Sequence, residues 1–460
     1  MKQSHEIDMT NGPIFKKVFM FSLPLLLTGV LQLLFNAADV IVVGKFAGSL
    51  ALAAVGSNGS LINLLVNLFI GISTGVNVLA ARFYGGRDRK EMFRCVHCSM
   101  ALSLVLGIFV GFLGFFLSTP MLRLMRADPE VLPLASLYLR IYFLGVPATV
   151  VYNFGAAILR AVGDTERPLQ FLVISGAANV ILNLISVIGL HLSVAGVAIA
   201  TVVSQYIAAA LVIKCLLHSE GSYRLELRKL RFFKDMLLWI LQLGVPAGLQ
   251  NSIFSISNVI IQSAINSFGY VTMAANSAAG NVDGFISIAI NSVFHASLCF
   301  TSQNIGAKKY DRLGRVLSSC IILVLLFSVT MSGLVYLFGP QLLSLYVSSA
   351  DADRDAVIAL GMIRLTYVGL PYFLCGLMEV ASGTLRGMGK SWLPLIISTV
   401  GICVFRMIWI FTVFSAYPTL QILYLSYPIS WIITPTALFT ALYLVRRNFI
   451  QAAPVQNVRH

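Results

Sequence analysis

A few ionisable side chains of this sequence stand inside long apolar runs, where charge is costly. Asp39 is the one full carboxylate in "LPLLLTGVLQLLFNAADVIVVG" (23–44), Asp283 lies in "NVDGFI", Glu379 in "GLMEVASGTLRG" and Arg406 in "FRMIW". An acid at the centre of a membrane helix costs roughly 2.5 to 3.5 kcal/mol on insertion scales, so something must offset it. Asp39 has no basic residue in its own run, and the cheapest state of a lone acid in a dry site is protonated. A group that is neutral with a proton, or charged beside a cation, is what coupled transport requires. Asp39 is therefore the leading candidate for a proton- or cation-loaded switch.

The polar residues around these groups recur with helical spacing. Thr28, Gln32, Asn36 and Asp39 fall at i, i+4, i+8 and i+11, close to one helix face. A later run repeats the stripe with Asn251, Ser255, Asn258, Gln262 and Asn266, without an acid. Ser175, Asn179, Asn183 and Ser186 form another stripe, and Asn63, Asn67, Asn153, Thr201 and Gln205 add further polar positions. In lipid such residues face a bundle interior or a water-filled cavity. The alternative is that the amides and hydroxyls only bind helices together, at about 0.6 kcal/mol per hydrogen bond. For Glu379 and Arg406 the economical arrangement is a mutual ion pair, since each alone would be expensive; otherwise Glu379 faces the cavity and meets a cationic substrate. Arg140 and Arg364 are expected to snorkel toward the outer ends of their spans.

The elements that must position these groups are membrane helices. The chain is 58% hydrophobic and 11% charged, with a mean hydropathy of +0.87, whereas soluble domains carry about 25% charged residues. Twelve spans are expected, near 15–42, 50–81, 92–117, 133–160, 167–189, 194–217, 236–266, 272–303, 313–338, 356–385, 391–415 and 420–445. The polar start "MKQSHEIDMTNGPIFKK" has no signal-peptide pattern, so the first span is expected to remain. The net charge of +14 is explained by topology, not by nucleic acid: 25 of the 32 Lys and Arg fall on one side if both termini lie there. By the positive-inside rule that side is cytoplasmic, giving a multi-pass cell-membrane protein with both ends inside. Segment 219–234, "SEGSYRLELRKLRFFK", reads as an amphipathic interfacial linker in contact with anionic lipid.

Seven cysteines, all in or beside spans, imply no disulfide framework. "CVHC" (95–98) lacks a second half-site for zinc, and His295 reads as a satisfied interior histidine. "GISTG" (71–75) and "GIFVG" (107–111) match the small-residue pattern of close helix packing.

The sequence also repeats itself. Pro24 and Pro246, Asn36 and Asn258, and Phe46 and Phe268 are each 222 positions apart. "RIYFLGVP" (140–147) matches "RLTYVGLP" (364–371), and "LRAVGDTERP" (159–168) matches "LRGMGKSWLP" (385–394). The reading is an all-α polytopic membrane protein of two six-helix lobes, 1–218 and 235–460, joined by the linker 219–234. Six spans per copy is an even number, so the repeats run parallel, an arrangement suited to alternating access around a shared cavity.

"FNAADVIVVGKFAGSLALAAVG" (35–56), "AARFYGG", "ILRAVGDTERP", "SQNIGA" and "GTLRGMGKS", in that order over nearly the whole chain, resemble the multidrug and toxic compound extrusion (MATE) family of prokaryotic efflux transporters. The resemblance implies export of organic, often cationic, compounds in exchange for inward H⁺ or Na⁺, with a helix-one bend near the family proline, here Pro24. It also implies a coupling-ion site built from the helix-one Asp, an Asn and an Asp four residues apart on helix five, and a helix-six Thr. Asp39, Asn179 and Thr201 match; Asn183 stands where many relatives have Asp, which favours a proton over Na⁺ because hard cations prefer carboxylate oxygens. Helix seven lacks the acid of a second-lobe site, for which Asp283 and Glu379 could partly substitute.

The expected function is thus an ion-coupled antiporter, not an enzyme, with no cofactor beyond H⁺ or Na⁺. Gln32, Asn36, Asp39, Asn153, Asn258, Gln262, Asp283, Glu379 and Arg406 are the expected substrate-cavity residues. Its partners are small organic molecules and the bilayer, with no nucleic acid, and a monomer is expected. The competing reading is a lipid-linked glycan flippase of the same superfamily, which would need a wide basic cleft for pyrophosphate. An intramembrane enzyme finds no HExxH, paired aspartates or Ser–His set at matching depth.

Overall fold

The computed structural model describes residues 6–125, 128–347 and 353–452. Arg126 and the side chain of Asn63 lie outside the described residues. Among the described residues twelve helices are long and apolar enough to cross a membrane: α1 Ile14–Ala47, α2 Ser49–Gly85, α3 Arg89–Leu124, α4 Leu132–Ala161, α5 Glu166–Gly189, α6 Ser193–Leu217, α7 Lys234–Asn266, α8 Tyr270–Gly306, α9 Arg312–Leu337, α10 Arg354–Gly387, α11 Trp392–Phe414 and α12 Leu420–Ala452. No strand occurs among the described residues. Helices satisfy every backbone hydrogen bond within their own segment, which the hydrocarbon requires.

The repeat is visible in the backbone. Gly48 and Gly269, 221 positions apart, sit at φ +88° and +91° in the tight turns before α2 and α8. That conformation is open to glycine and strained for other residues. Arg87 and Lys308 share φ 56°, and Gly163 and Gly389 take φ 94° and 83°, with the same spacing as the sequence matches.

By contacts the chain forms two compact units. The first holds residues 6–8 with Leu27–Gly248, and the second holds Met9–Leu26 with the chain from Leu249 onward. These divisions differ from the boundaries 1–218, 219–234 and 235–460. They fall two residues beyond Pro24 in α1 and Pro246 in α7, where a missing backbone N–H weakens each helix. In the second unit, the early part of α1 packs Phe21 edge-on against Phe300 of α8, ring centroids 5.8 Å apart.

In the first unit, α7 meets α2 at a close crossing. A Cβ on Gly71 would stand 2.2 Å from the Gly248 backbone, and one on Gly75 would stand 2.4 Å from the Ile240 carbonyl. The "GISTG" motif thus packs against Gly244 and Gly248, a second small-residue pair. "GIFVG" does the same on α3, where a Gly107 Cβ would lie 2.7 Å from Pro147 Cα of α4. Backbones this close gain dispersion contacts that side chains would prevent.

The linker 219–234 is docked on the first unit. Tyr223 and Leu225 are each 2% exposed, while Arg224, Arg228, Lys229 and Arg231 point outward. The Tyr223 hydroxyl donates to Glu6 Oε1 at 2.7 Å; burial, reinforced by that carboxylate, pushes its pKa up. His97 is fully buried, with Nδ1 2.8 Å from the Phe93 carbonyl and Nε2 accepting the Glu226 backbone N–H at 3.0 Å. Both ring nitrogens are used, so "CVHC" is part of helix packing. Among the described residues no group of three His, Cys, Asp or Glu could hold a metal ion.

Replacing Gly71 by Leu is expected to cost about 3 kcal/mol or more, since overpacking here meets backbone rather than a movable side chain. Detergent-solubilised variant should melt well below wild type and be recovered in lower yield. An unchanged melting temperature would contradict the crossing.

Candidate functional site

The expected cavity residues other than Asp283, which lines neither, divide between two cavities, one inside each unit. The first has a volume of about 380 Å³. Helix α1 supplies Gln32, Asn36 and Asp39, α4 supplies Asn153, α5 supplies Asn179 and α6 supplies Thr201. Their shared face follows from the i, i+4 spacing of each stripe.

Asp39 sits on this wall and accepts a hydrogen bond from Asn183 Nδ2. The same Nδ2 donates to Asn179 Oδ1 at 3.2 Å. Asn183 is fully buried, and its Oδ1 has no partner among the described residues. Thr201 Oγ1 donates to its own helix at Val197 O, 2.9 Å away, and retains acceptor capacity. Asn153 turns its Nδ2 back to the Thr149 carbonyl at 2.8 Å. The Asp39 carboxylate thus shares its cavity wall with the Asn179 amide and the Thr201 hydroxyl, and the group hydrogen-bonded to it is the Asn183 N–H.

The second cavity has a volume of about 490 Å³ and is lined by Asn258, Gln262, Glu379 and Arg406 of the expected set. Arg364, Asn276, Tyr372, Tyr427 and Trp431 join them. Arg364 Nε pairs with Asp283 Oδ2 at 3.0 Å, and its Nη1 donates to Asn276 Oδ1. Asn276 also accepts from the Tyr424 hydroxyl at 3.1 Å and donates to Gln262 Oε1 at 2.9 Å. Gln262 passes the chain on to Asn266 Oδ1 at 2.8 Å.

Three expectations are corrected here. Arg364 does not snorkel: only 14% of its side chain is exposed, because Asp283, 4% exposed, draws it inward. Asp283 is accordingly committed to an ion pair and does not stand free as a substitute cation ligand. Glu379 and Arg406 form no ion pair. The Arg406 guanidinium lies 3.9 Å above the Tyr427 ring centroid and 5.6 Å from that of Trp431, and its Nε donates to Ser430 Oγ at 3.1 Å. Aromatic faces attract a desolvated guanidinium by about 2 kcal/mol, which offsets part of the cost of burying it without a carboxylate partner. Arg140 does stay exposed, donating to Thr119 Oγ1 at 3.2 Å.

The sequence reading missed the Asp283–Arg364–Asn276 network. One signal was available: the 221-residue offset aligns Asp283 with Ile62, so the second copy carries an acid that the first lacks. π-helical turns lie close in sequence to residues of both sites, at Val43–Ala47 and Ile185–Gly189 in the first unit and at Leu365–Gly369, Thr399–Val404 and Ile410–Phe414 in the second. Such turns are often found at functional positions.

Twelve apolar helices among the described residues, in a repeated arrangement with polar cavities inside each unit, define a multi-pass membrane protein. The MatE family model matches residues 24–185 and again 246–412, and the chain belongs to that family. It is 29% identical over 440 residues to "Probable multidrug resistance protein YoeA" of Bacillus subtilis (strain 168), covering 94% of this chain and 92% of that one. It is 27% identical over 406 residues to "Probable multidrug resistance protein YpnP" of the same organism, covering 87% and 88%. A solved structure described as the outward-facing conformation of a multidrug resistance MATE family transporter of the MOP superfamily shares the fold. It has a TM-score of 0.87 and 24% identity, over 99% of this chain and 100% of that one.

Asp283→Asn leaves Arg364 buried without its counter-charge and is expected to destabilise the protein by about 3 to 5 kcal/mol. Adding Arg364→Gln should restore part of the loss in thermal melts of the purified protein. Equal or additive losses would mean that the two side chains do not act as a pair.

Proposed function

We propose that this chain is a secondary antiporter that exports organic, often cationic, compounds across the cell membrane in exchange for H⁺ or Na⁺. The observation that carries this reading is the Asp39 carboxylate on the wall of a cavity, hydrogen-bonded by the Asn183 amide. Asn179, Asn183 and Thr201 complete the coupling-ion site around it. The names of the Bacillus subtilis relatives support multidrug export, and the distribution of Lys and Arg supports cytoplasmic termini.

In this scheme the ion enters from outside and neutralises Asp39, which weakens the hold of the site on a cationic compound. The loaded protein then exposes its cavities inward, the ion leaves, and the restored carboxylate attracts the next cargo. Alternation of this kind needs two states that the ion and the cargo favour differently. A proton suits the site better than Na⁺ because Asp39 is its one carboxylate. The flippase reading draws little support: Asp283 already compensates Arg364, which leaves Arg406 as the uncompensated base lining the second cavity, short of what a pyrophosphate group would need.

Asp39→Asn is expected to insert and purify normally but to lower gradient-driven efflux of a cationic dye from proteoliposomes at least tenfold. Undiminished efflux would remove Asp39 from the coupling step. Asn183→Asp adds a carboxylate oxygen and should raise the response of efflux to an imposed Na⁺ gradient; an unaltered sodium response would argue against the ion site.

A further inference from the structure

Between two anchor points the linker 219–234 presents cations that neither the fold nor the export scheme uses. At one end Tyr223 and Leu225 are buried, and the Glu226 backbone N–H donates to His97 Nε2 at 3.0 Å. At the other end the Phe233 ring meets two guanidinium groups, Arg231 at 4.5 Å and Arg94 at 4.9 Å from its centroid, and its carbonyl accepts from Cys98 Sγ at 3.8 Å. A segment held at both ends offers the side chains between them without a large ordering cost on binding.

Acids neutralise part of this charge and leave the rest. Lys229 pairs with Glu226 at 2.8 Å, and Asp235 is taken by Arg94. Arg228, Arg231 and Lys234 are exposed and have no carboxylate partner among the described residues. Apolar side chains are exposed beside them: Leu227 and Phe232 in the linker, then Leu238 and Trp239 in the first turns of α7. Lys234 and Leu238 are four residues apart, so the cation and the apolar group lie on one face of the helix that enters the membrane.

That order narrows the partner. A small inorganic anion would use the three cations and leave the apolar groups without a role. An anionic phospholipid uses both, its phosphate among the cations at the interface and its acyl chain along the start of the span, where tryptophan is favoured. A diffuse attraction between a basic loop and an acidic bilayer would need neither the two anchors nor the adjoining apolar face.

We propose that the linker and the start of α7 form a specific site for one anionic phospholipid. Arg228, Arg231 and Lys234 hold the headgroup phosphate, and Leu238 and Trp239 receive the chain. The site stands independently of the export reading.

The test uses the full-length purified protein in mixed micelles of phosphatidylglycerol and phosphatidylcholine with matched chains, the retained lipids being counted by native mass spectrometry. Each basic residue near an anionic surface strengthens association by about fivefold, so wild type should retain phosphatidylglycerol in preference by roughly tenfold or more. The triple variant Arg228→Gln, Arg231→Gln, Lys234→Gln should lose most of that preference. A matched triple in the loop before α3, Arg87→Gln, Arg89→Gln, Lys90→Gln, removes the same charge and should keep it. Arg228→Lys with Arg231→Lys should also keep most of it. Equal retention of the two lipids by wild type, or equal losses in the two Gln triples, would overturn the site. Inorganic phosphate and polyglutamate are added as competitors, and neither should displace the lipid. Displacement by phosphate would mark a free-anion site and displacement by polyglutamate a face for an acidic protein segment; either result would overturn the lipid assignment.

Discussion

The cost of taking charge out of water governs this molecule. Four ionisable side chains in and beside the two cavities meet it in three ways. Asp283 and Arg364 neutralise one another at 3.0 Å, Arg406 rests on aromatic rings, and Asp39 has an amide donor and a cavity beside it. The first two solutions are fixed parts of the fold. The third leaves room for exchange with a proton or a cation, which is why the proposed coupling role is assigned to Asp39.

The same constraint explains why two copies of one fold have different chemistry. Backbone features recur faithfully, down to paired left-handed turns at Arg87 and Lys308. Charged residues do not. Ile261 stands where the first copy has Asp39, and Ile62 stands where the second has Asp283. An acid-bearing cavity and a charge-balanced one result from a handful of substitutions on a shared scaffold, since a cavity wall tolerates changes that a glycine-mediated crossing does not.

Most of the architecture could be read from the chain, because lipid imposes few options: all twelve expected spans coincide with helices of the structure to within a few residues at most ends, the second lying inside the longer α2. The Gly71 and Gly107 motifs were legible for a related reason, since small residues at i and i+4 have one obvious use in a membrane. The stripes of Asp39, Asn179 and Thr201 were legible through helical periodicity. Pairing across helices was not. Arg364 looked like Arg140 because their local sequences match, and only the placement of Asp283 on a neighbouring helix separates them. Glu379 and Arg406 seemed natural partners by charge alone; depth and direction within α10 and α11, which one-dimensional spacing does not encode, send the guanidinium to Tyr427 instead. The division of the compact units within α1 and α7 depends in the same way on tertiary contacts, although Pro24 and Pro246 stood close to it.

Asn183 has only one NH₂ group, and that group serves Asp39 and Asn179 together while its own carbonyl oxygen goes unused. A carboxyl that gains a proton changes from acceptor to donor. Half a turn of the Asn183 amide about its last side-chain bond would then present the idle oxygen to that new O–H and withdraw the N–H from the acid. An amide, unlike a second aspartate, can donate to the charged form of its neighbour or accept from the protonated form without changing its own charge, so Asn183 has a group to offer either state of Asp39 in the proposed cycle.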